Sequence, residues 1–286
     1  MKEWKSYHIF YHNLEKHDEL IHQLSSLARE YVLKKEAEKW FFLRYWEGGP
    51  HIRFRLLGIG EEVDYKIITV INEFIKKNPA LYEFNKEEYY KDHKFDGKEI
   101  NSKDLIWHEN GEIINFKYSP EYGRYGGHDV MNYSENIFMV TSNLADDINV
   151  SYNMFQKKLI IAAAINNQLY KLLIDNYGSG NLKSVLEYVV DFWKVFSDDY
   201  STKQLEFLNN NNSVINISYE RLLNSKRISE YISTIKEEML KINSFINDKD
   251  YMDSIIISHI HMLNNRLGIT PNFERSISKW ILSNIN

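Results

Sequence analysis

Two short runs of aromatic, branched and large residues constrain the fold of this chain more than any other feature. They are Trp40–Trp46 and His51–Leu57, and the link Glu47–Pro50 joins them with two glycines and a proline. Strand-like runs around a short, glycine-containing link are typical of a β-hairpin. We therefore expect an antiparallel pair of strands.

The link also predicts which side chains face each other. The expected pairs are Trp46 with His51, Arg44 with Arg53, and Phe42 with Arg55. Like charges directly opposite each other destabilise a sheet, so Arg44 and Arg53 would need an anion beside them. An internal glutamate would serve, and so would a bound carboxylate or phosphate, which guanidinium groups hold in bidentate fashion. Arg55 and His51 on the same face favour a clamp for a ligand.

The residues around the hairpin predict a sheet-containing region. The segment Trp4–His12 alternates as a strand does, whereas Glu15–Leu33 and Val63–Ile75 have apolar residues at helical spacing. Further extended pieces are expected around Leu105–Trp107 and Ile113–Tyr118. The order β-α-β-β-α followed by extended pieces is typical of a split βαβ, ferredoxin-like sheet.

From Gly127 onward the pattern is helical. The expected helices are His128–Asp147, Tyr152–Asn176, Leu182–Phe196, Tyr219–Ile246, Tyr251–Arg266 and Phe273–Ile285. The asparagine run Asn209–Asn212 is expected to be a solvated loop. A sheet followed by helices predicts an α+β fold. We expect one domain over residues 1–286, with the sheet in 1–126 and the helical half in 127–286.

Composition excludes several classes of protein. The absence of cysteine removes disulfides, thiolate nucleophiles and zinc fingers, and it fits a reducing compartment. A net charge of −5 argues against a surface that binds nucleic acid or an anionic membrane along its whole length. The longest apolar stretch, Leu159–Ile165, is too short to cross a bilayer, and Met1–Asn13 has no signal-like apolar run. These features predict a cytoplasmic protein.

A second group of polar residues lies in the glycine-rich segment Tyr118–Gly127, which links an extended run to a helix. It contains Glu121, Arg124 and Tyr125 together with a proline and three glycines. Glu121 and Arg124 would be worth under about 1 kcal/mol as a surface ion pair. Loops held by a scaffold commonly carry function, and helix N-termini favour anions, so a role in a site is the favoured interpretation.

A third group lies in the late helical segment Ser258–Gly268. His261 and Asn265 are i,i+4 neighbours on a helix, and Arg266 is expected close to the same stripe. His259 and His261 cannot converge on one ion at i,i+2 spacing, so no metal site is expected.

The three groups in this order resemble the C-terminal elimination domain of class I lanthipeptide dehydratases, a domain type that also occurs as a free-standing protein in thiopeptide biosynthesis. The matching segments are Trp40–Arg55, Pro120–Gly127 and His261–Leu267. The resemblance extends over about residues 4–268, and its specificity comes from three motifs at compatible spacing.

This resemblance implies a reaction. In that family, Ser and Thr of a ribosomal precursor peptide are glutamylated from glutamyl-tRNA, and this domain then expels glutamate to leave dehydroalanine or dehydrobutyrine. The expected partners are the glutamylated precursor peptide and a separate glutamylating subunit, with no direct nucleic-acid contact and no membrane span. No cofactor and no metal are implied. The oligomeric state, a homodimer included, stays open.

The resemblance also implies roles for individual residues. Catalytic roles are expected for Arg53, Arg55, Glu121, Arg124 and His261. The arginines would hold the carboxylates of glutamate, and His261 would accept or relay a proton near neutral pH. Glu121 would be either the base or the group that orients Arg124, and the second role is favoured because a carboxylate beside arginine is a weaker base. Substrate contacts are expected at Arg44, His51, Tyr125, Asn265 and Arg266.

Two other functions remain open. Thiopeptide pyridine synthases resemble these domains and join two dehydroalanines in a formal [4+2] cycloaddition. A module that only binds a leader peptide is the third hypothesis. Elimination is favoured because a cycloaddition needs no glutamate clamp, and a binding module needs no histidine beside a set of arginines. We expect the catalytic arginines and His261 to converge on one pocket.

Overall fold

The chain divides into a sheet-bearing part and a helical part. The computed structural model describes residues 2–91, 104–196 and 200–285. Two compact units result, Met1–Ser119 and Pro120–Asn286, so the division falls before the expected change at Gly127. The fold class is α+β with helix predominating, as the sequence pattern predicted.

The first unit contains a small antiparallel sheet. Its described strands are β1 (Trp4–Phe10), β2 (Lys39–Tyr45), β3 (His51–Leu57) and β4 (Ile113–Asn115). Their order is β2-β3-β1-β4, and each neighbouring pair is antiparallel. The extended piece expected at Leu105–Trp107 forms no strand. Aromatic contacts hold that segment instead, since the Trp107 ring lies 5.6 Å from the rings of both His12 and Tyr89.

The described α-helices lie between and after the strands. In chain order they are α1 (His17–Leu33), α2 (Glu61–Lys77), α3 (Lys86–Tyr90), α4 (Met131–Ser151), α5 (Phe155–Asn176), α6 (Leu182–Phe192), α7 (Tyr200–Asn210), α8 (Asn212–Asn224), α9 (Lys226–Asn243), α10 (Lys249–Leu267) and α11 (Pro271–Ser283). None of the helices in the described part of the chain combines the length and the apolar character that a bilayer crossing requires.

One face of the sheet forms the core of the first unit. Tyr7, Phe42 and Phe54 on this face have no exposed surface. Contacts from α1 and α2 reach the same face, because Asp18 pairs with Arg44 and Asp64 accepts a hydrogen bond of 2.5 Å from Tyr7. Side chains alternate along a strand, so the residues between these ones point to the opposite face.

The register of the hairpin differs by one residue from the predicted one. The observed pairs are Tyr45 with His51, Arg44 with Ile52, Leu43 with Arg53, Phe42 with Phe54, and Phe41 with Arg55. The facing of Arg44 and Arg53 predicted from the sequence is therefore wrong. Arg44 lies on the helix-covered face, whereas Arg53 and Arg55 lie on the other one.

The turn explains this shift. Trp46 leaves the strand and joins the link, where its carbonyl accepts a hydrogen bond of 3.1 Å from the Gly49 N–H. Gly48 and Gly49 have φ angles of 85° and 111°, which other residues adopt only with strain. A link of five residues, Trp46–Pro50, replaces the expected four, and a shift of one residue exchanges the faces of a strand.

Two interruptions in the helical unit also differ from the expected pattern. The run Asn209–Asn212 is not a loop: only Asn211 separates α7 from α8, and its side-chain amide donates to the Phe207 carbonyl at 2.8 Å. The single helix expected over Tyr219–Ile246 is two helices, since Ser225 has extended angles (φ −77°, ψ 111°) that end α8 and begin α9.

Candidate functional site

The sheet face opposite α1 and α2 carries the first set of candidate residues. We call it the arginine face and define it as Ser6, His8, His51, Arg53 and Arg55. On this face Ser6 of β1 lies opposite Arg55 of β3, and His8 lies opposite Arg53. The alternation of two adjacent antiparallel strands thus brings five polar side chains together.

Arg53 is held by a neutral histidine and an aromatic ring. Its Nε donates to His51 Nε2 at 3.1 Å, and its guanidinium carbon lies 3.4 Å from the centre of the Tyr45 ring. His51 Nδ1 lies 2.9 Å from the Gly49 carbonyl, which only accepts, so the ring proton is on Nδ1. Burial lowers the pKa of His51 to about 3, and the charge on Arg53 lowers it too. His51 is therefore a fixed acceptor at neutral pH.

Arg55 is the more deeply buried of the two arginines. Only 9% of its surface is exposed, and its Nε donates to Ser6 Oγ at 3.0 Å. Its guanidinium lies 4.6 Å from the Tyr118 ring and 5.2 Å from the Phe41 ring. The hydrogen bond and the two rings fix the plane of this group, and a fixed planar fork is what carboxylate recognition requires.

His8 was not singled out in the sequence, nor was Ser6. The His8 ring stacks on His51 at 5.1 Å and lies 4.6 Å from Phe116. Burial lowers the pKa of His8 to about 2, and the positive charge of Arg53 adds to the effect. The alternation of Trp4–Phe10 was a usable signal, because it places Ser6 and His8 on one face of a strand that had to pair with the hairpin.

The second unit begins with the glycine loop, defined as Pro120–Gly127. Tyr122–Arg124 forms one turn of 3₁₀ helix, and the Tyr251 hydroxyl of α10 donates to the Gly123 carbonyl at 2.8 Å. Gly126 and Gly127 both have positive φ, 95° and 102°. Glycine provides these angles, and they turn the chain from the loop toward α4.

Arg124 joins the glycine loop to α10. Its Nη1 lies 3.3 Å from Glu121 Oε2, and its Nε donates to Ser258 Oγ at 3.3 Å. The Glu121 side chain is 64% exposed, so this ion pair contributes little to stability. The contact with Ser258 relates Arg124 to the late helix, and nothing in the local sequence singled out Ser258.

Tyr125 lies in the core of the helical unit. It is 4% exposed, and its ring lies 4.8 Å from Phe138 and 5.1 Å from His259. Ser134 Oγ donates to the Tyr125 carbonyl at 3.3 Å and lies 3.3 Å from His259 Nε2. Burial lowers the pKa of His259 to about 3, with the charges of two arginines adding to the effect. Tyr125 therefore anchors the glycine loop.

A partly exposed stripe of α10 carries two of the predicted residues. Ser258, His261 and Asn265 follow one another at intervals of three and four residues, so they share one side of the helix. Arg266 does not share this side, contrary to the expectation. It lies 140° around the helix from His261 at about 100° per residue. It is 1% exposed and donates to Ser142 Oγ at 3.0 Å.

His261 is paired with a carboxylate that the sequence analysis missed. Its Nδ1 lies 2.8 Å from Glu274 Oε1, and Glu274 is 4% exposed. The Trp193 ring lies 5.0 Å from the imidazole. Within the part of the chain that the structure describes, His261 Nε2 has no hydrogen-bond partner. Glu274 follows Pro271 in the first turn of α11, but nothing in the local sequence pointed to its partner.

Each unit thus brings together part of the predicted set. The first unit groups His51, Arg53 and Arg55. In the second unit Glu121 contacts Arg124, which reaches α10 through Ser258, and His261 and Asn265 lie along the same stripe. In the described residues no three histidine, aspartate or glutamate side chains could hold a metal ion. The residues instead provide guanidinium groups for an anion and one imidazole for a proton.

Comparisons with known proteins identify the family of this chain. A family model described as "Lantibiotic biosynthesis dehydratase C-term" matches residues 4–283. The epidermin biosynthesis protein EpiB of Staphylococcus epidermidis is 25% identical over 303 residues, which cover 100% of this chain and 26% of EpiB. This chain therefore spans about a quarter of the length of that curated relative.

Three solved structures share the fold. The pyridine synthase TbtD from thiomuracin biosynthesis aligns with a TM-score of 0.67 at 14% identity, over 98% of this chain and 97% of TbtD. TsrL aligns at 0.63 and 12% identity, over 99% and 94% of the two chains. The tRNA-dependent lantibiotic dehydratase MibB from Microbispora sp. 107891 aligns at 0.59 and 14% identity, over 99% of this chain and 28% of MibB. With its matching family model over nearly all residues, the chain belongs to the family of lantibiotic biosynthesis dehydratase C-terminal domains.

Proposed function

We propose that this protein eliminates glutamate from glutamylated Ser and Thr residues of a ribosomal precursor peptide. The observation that carries the proposal is the arginine face, where Arg53 and Arg55 are fixed by hydrogen bonds to His51 and Ser6. A separate enzyme that uses glutamyl-tRNA would supply the substrate. The reaction would take place in the cytoplasm, where charged tRNA is found.

The elimination needs one proton acceptor and one group that stabilises a leaving carboxylate. A base removes the α-proton of the glutamylated residue, and the electron pair of that C–H bond forms the Cα=Cβ double bond. The bond between Cβ and the ester oxygen breaks, and glutamate departs with the negative charge on its carboxylate. Fixed guanidinium groups stabilise such developing charge without reorganising at the moment of reaction.

We assign the arginines to glutamate and the imidazole to the proton. Arg53, Arg55 and Arg124 would hold the carboxylates, and His261 Nε2 would accept or relay the proton. Glu121 would orient Arg124, since its carboxylate lies 3.3 Å from the Arg124 guanidinium group. His51 would act through Arg53, because its ring nitrogens are already engaged with Gly49 and Arg53. Asn265 would contact the peptide.

A pyridine synthase is the second candidate, because TbtD shares the fold over 97% of its length. Structural likeness at 14% identity extends to the fold alone, so the choice rests on the residues. Arg53 lies over the Tyr45 ring, Arg55 lies over the Tyr118 ring, and His261 pairs with a carboxylate. These groups support elimination, since a cycloaddition of two dehydroalanines expels no carboxylate.

The experiment supplies two purified peptides to the protein and follows both by mass spectrometry. One peptide is glutamylated at Ser, and the other is already dehydrated. We expect loss of glutamic acid from the first and no change in the second. Cyclised product from the dehydrated peptide, with no glutamate released from the other, would favour the pyridine synthase. Binding of either peptide without any mass change would favour a leader-binding module.

The same proposal includes two points about architecture. The strand order β2-β3-β1-β4, with α1 after β1 and α2 after β3, supports a split βαβ sheet of the ferredoxin-like type. We also propose that residues 1–286 act as one elimination domain, although each compact unit has its own core.

A further inference from the structure

The carboxylate of Glu274 in the helical unit has no role in the proposed reaction as described above. It comes from α11, whereas His261 comes from α10, and the turn at Gly268 brings the two helices together. Glu274 is 4% exposed, and the side chain of His261 is 19% exposed. A buried carboxylate is costly unless it is hydrogen-bonded, so this pairing has a strong physical reason to persist.

The pairing also decides where the imidazole carries its proton. Glu274 Oε1 lies 2.8 Å from His261 Nδ1, and an ionised carboxylate only accepts. The proton of the neutral ring therefore resides on Nδ1, and the lone pair resides on Nε2. Nε2 has no hydrogen-bond partner within the described residues, so it is the atom that a substrate proton can reach.

Neighbouring side chains restrict both partners. The Trp193 ring lies 5.0 Å from the imidazole and limits its rotation. Tyr170 of α5 is 2% exposed, and its pKa is raised by burial and by the negative charge of Glu274. The carboxylate is thus close to a buried, neutral phenol, and it belongs to the first turn of α11, where a negative charge is favoured.

We infer that Glu274 is a positioning residue for His261: it holds the imidazole in the Nδ1–H tautomer and stabilises the imidazolium that forms when Nε2 takes a proton. This inference rests on the proposed function for its kinetic consequence. The tautomer itself can be measured without any turnover, so the two can fail separately.

The kinetic test compares Glu274→Gln with the unmutated protein on the glutamylated peptide. Glutamine keeps the shape of the side chain and removes its charge. We expect kcat to fall by at least about 10-fold, because proton transfer commonly contributes about 10² to 10⁴ in rate and His261 would lose the group that orients it, with KM nearly unchanged. The matched control is Glu238→Gln, because Glu238 is 6% exposed in the same unit and pairs with Asn136 and Lys241. That control should keep kcat within about twofold.

The spectroscopic test observes the histidine nitrogens by ¹⁵N NMR in protein labelled at its 10 histidines. The His261 signals are assigned by their loss in His261→Ala. We expect a protonated Nδ1 and an unprotonated Nε2 in the unmutated protein. In Glu274→Leu, which removes the acceptor, the proton should redistribute toward Nε2, while Glu274→Asp should retain much of the original pattern.

The outcomes separate the two ideas. Unchanged His261 shifts in Glu274→Leu, or a normal kcat in Glu274→Gln, would overturn the inference. If the unmutated protein releases no glutamate while Glu274→Leu changes the tautomer, then the positioning role stands and the proposed function fails. Should Glu274→Leu lose its fold by circular dichroism, the tautomer of Glu274→Met, which also lacks an oxygen acceptor and has a shape closer to that of glutamate, gives the same decision.

Discussion

At the scale of single residues, Arg53 and Arg55 lie on the same face of the same strand, yet different groups hold them. A neutral imidazole accepts from Arg53, and a serine hydroxyl accepts from Arg55. Each of these hydrogen bonds fixes the plane of one guanidinium group. Both contacts therefore orient a planar fork of the kind that recognises a carboxylate, whereas Arg44 pairs with Asp18 on the opposite face.

We expect Arg55→Lys to abolish most glutamate elimination and to leave the fold intact. Lysine keeps the charge but loses the planar fork, and it cannot reproduce the contact from Nε to Ser6. The measurement is the rate of glutamate release by mass spectrometry, together with circular dichroism. Arg44→Lys is the matched control, because it changes the same hairpin on the opposite face and should retain turnover. Near-normal release by Arg55→Lys would show that charge alone matters.

A buried histidine makes the stability of the helical unit depend on pH. Burial lowers the pKa of His259 to about 3, below the value of about 6.5 in an unfolded chain. The contribution of the neutral His259 ring to the free energy of unfolding is complete above pH 6.5. It is lost as the pH falls toward 3, because in that range only the unfolded chain takes up the proton. Each pH unit in that window lowers the free energy of unfolding by about 1.4 kcal/mol.

Between pH 6.5 and 4.5 the free energy of unfolding should therefore fall by about 2 to 3 kcal/mol less in His259→Leu than in the unmutated protein. Urea unfolding at several pH values provides the measurement. Phe138→Leu, a change at a ring 5.4 Å from His259, is the control that loosens the same core without removing a titrating group. It should lower stability equally at each pH, and an identical slope for both variants would contradict the prediction.

At the scale of elements, the sequence identified those whose pattern is local and missed what depends on a turn or on a second helix. The hairpin Trp40–Leu57 and most of the helices were predictable from composition and period. The register of the hairpin was not predictable, because the turn formed by two glycines with positive φ includes Trp46 in the link. Glu274 was not predictable either, because its partner is on another helix. Arg266 was predicted on the wrong side of α10, because the angle around the helix between it and His261 was underestimated. Its burial shows that it faces away from the exposed stripe.

The glycine loop offers a test at this scale. Gly126 and Gly127 both have φ near 100°, so an alanine at either costs about 1 to 2 kcal/mol in backbone strain. A Cβ at Gly126 would also lie 2.6 Å from Val130 Cγ2, whereas one at Gly127 would meet no atom within 4 Å. We expect Gly126→Ala to lower the free energy of unfolding by about 1 to 3 kcal/mol more than Gly127→Ala. Equal urea midpoints for the two variants would show that the loop relaxes.

At the scale of the whole molecule, the proposal requires residues of both units to act on one substrate. His261→Ala alone should let glutamylated peptide accumulate, with a loss of about 10² to 10⁴ in rate. Residues that act as one unit give losses that do not add. We expect Arg55→Lys combined with His261→Ala to be about as slow as the slower single variant. The control combines Arg55→Lys with Glu238→Gln, whose effects should multiply. Full multiplication in the first pair would mean that the two residues serve separate steps.

The five-residue link of the hairpin also limits how the chain can change in length. A chain one residue shorter there could keep its turn only by pairing Arg44 with His51, which would bring Arg44 to the arginine face and move Phe42 out of the core. A chain two residues shorter would leave every side chain of β2 on its own face. β3 cannot shift to compensate, because β1 pairs along its other edge. Changes in length that keep this five-residue turn therefore preserve the two faces of β2 only when they add or remove an even number of residues.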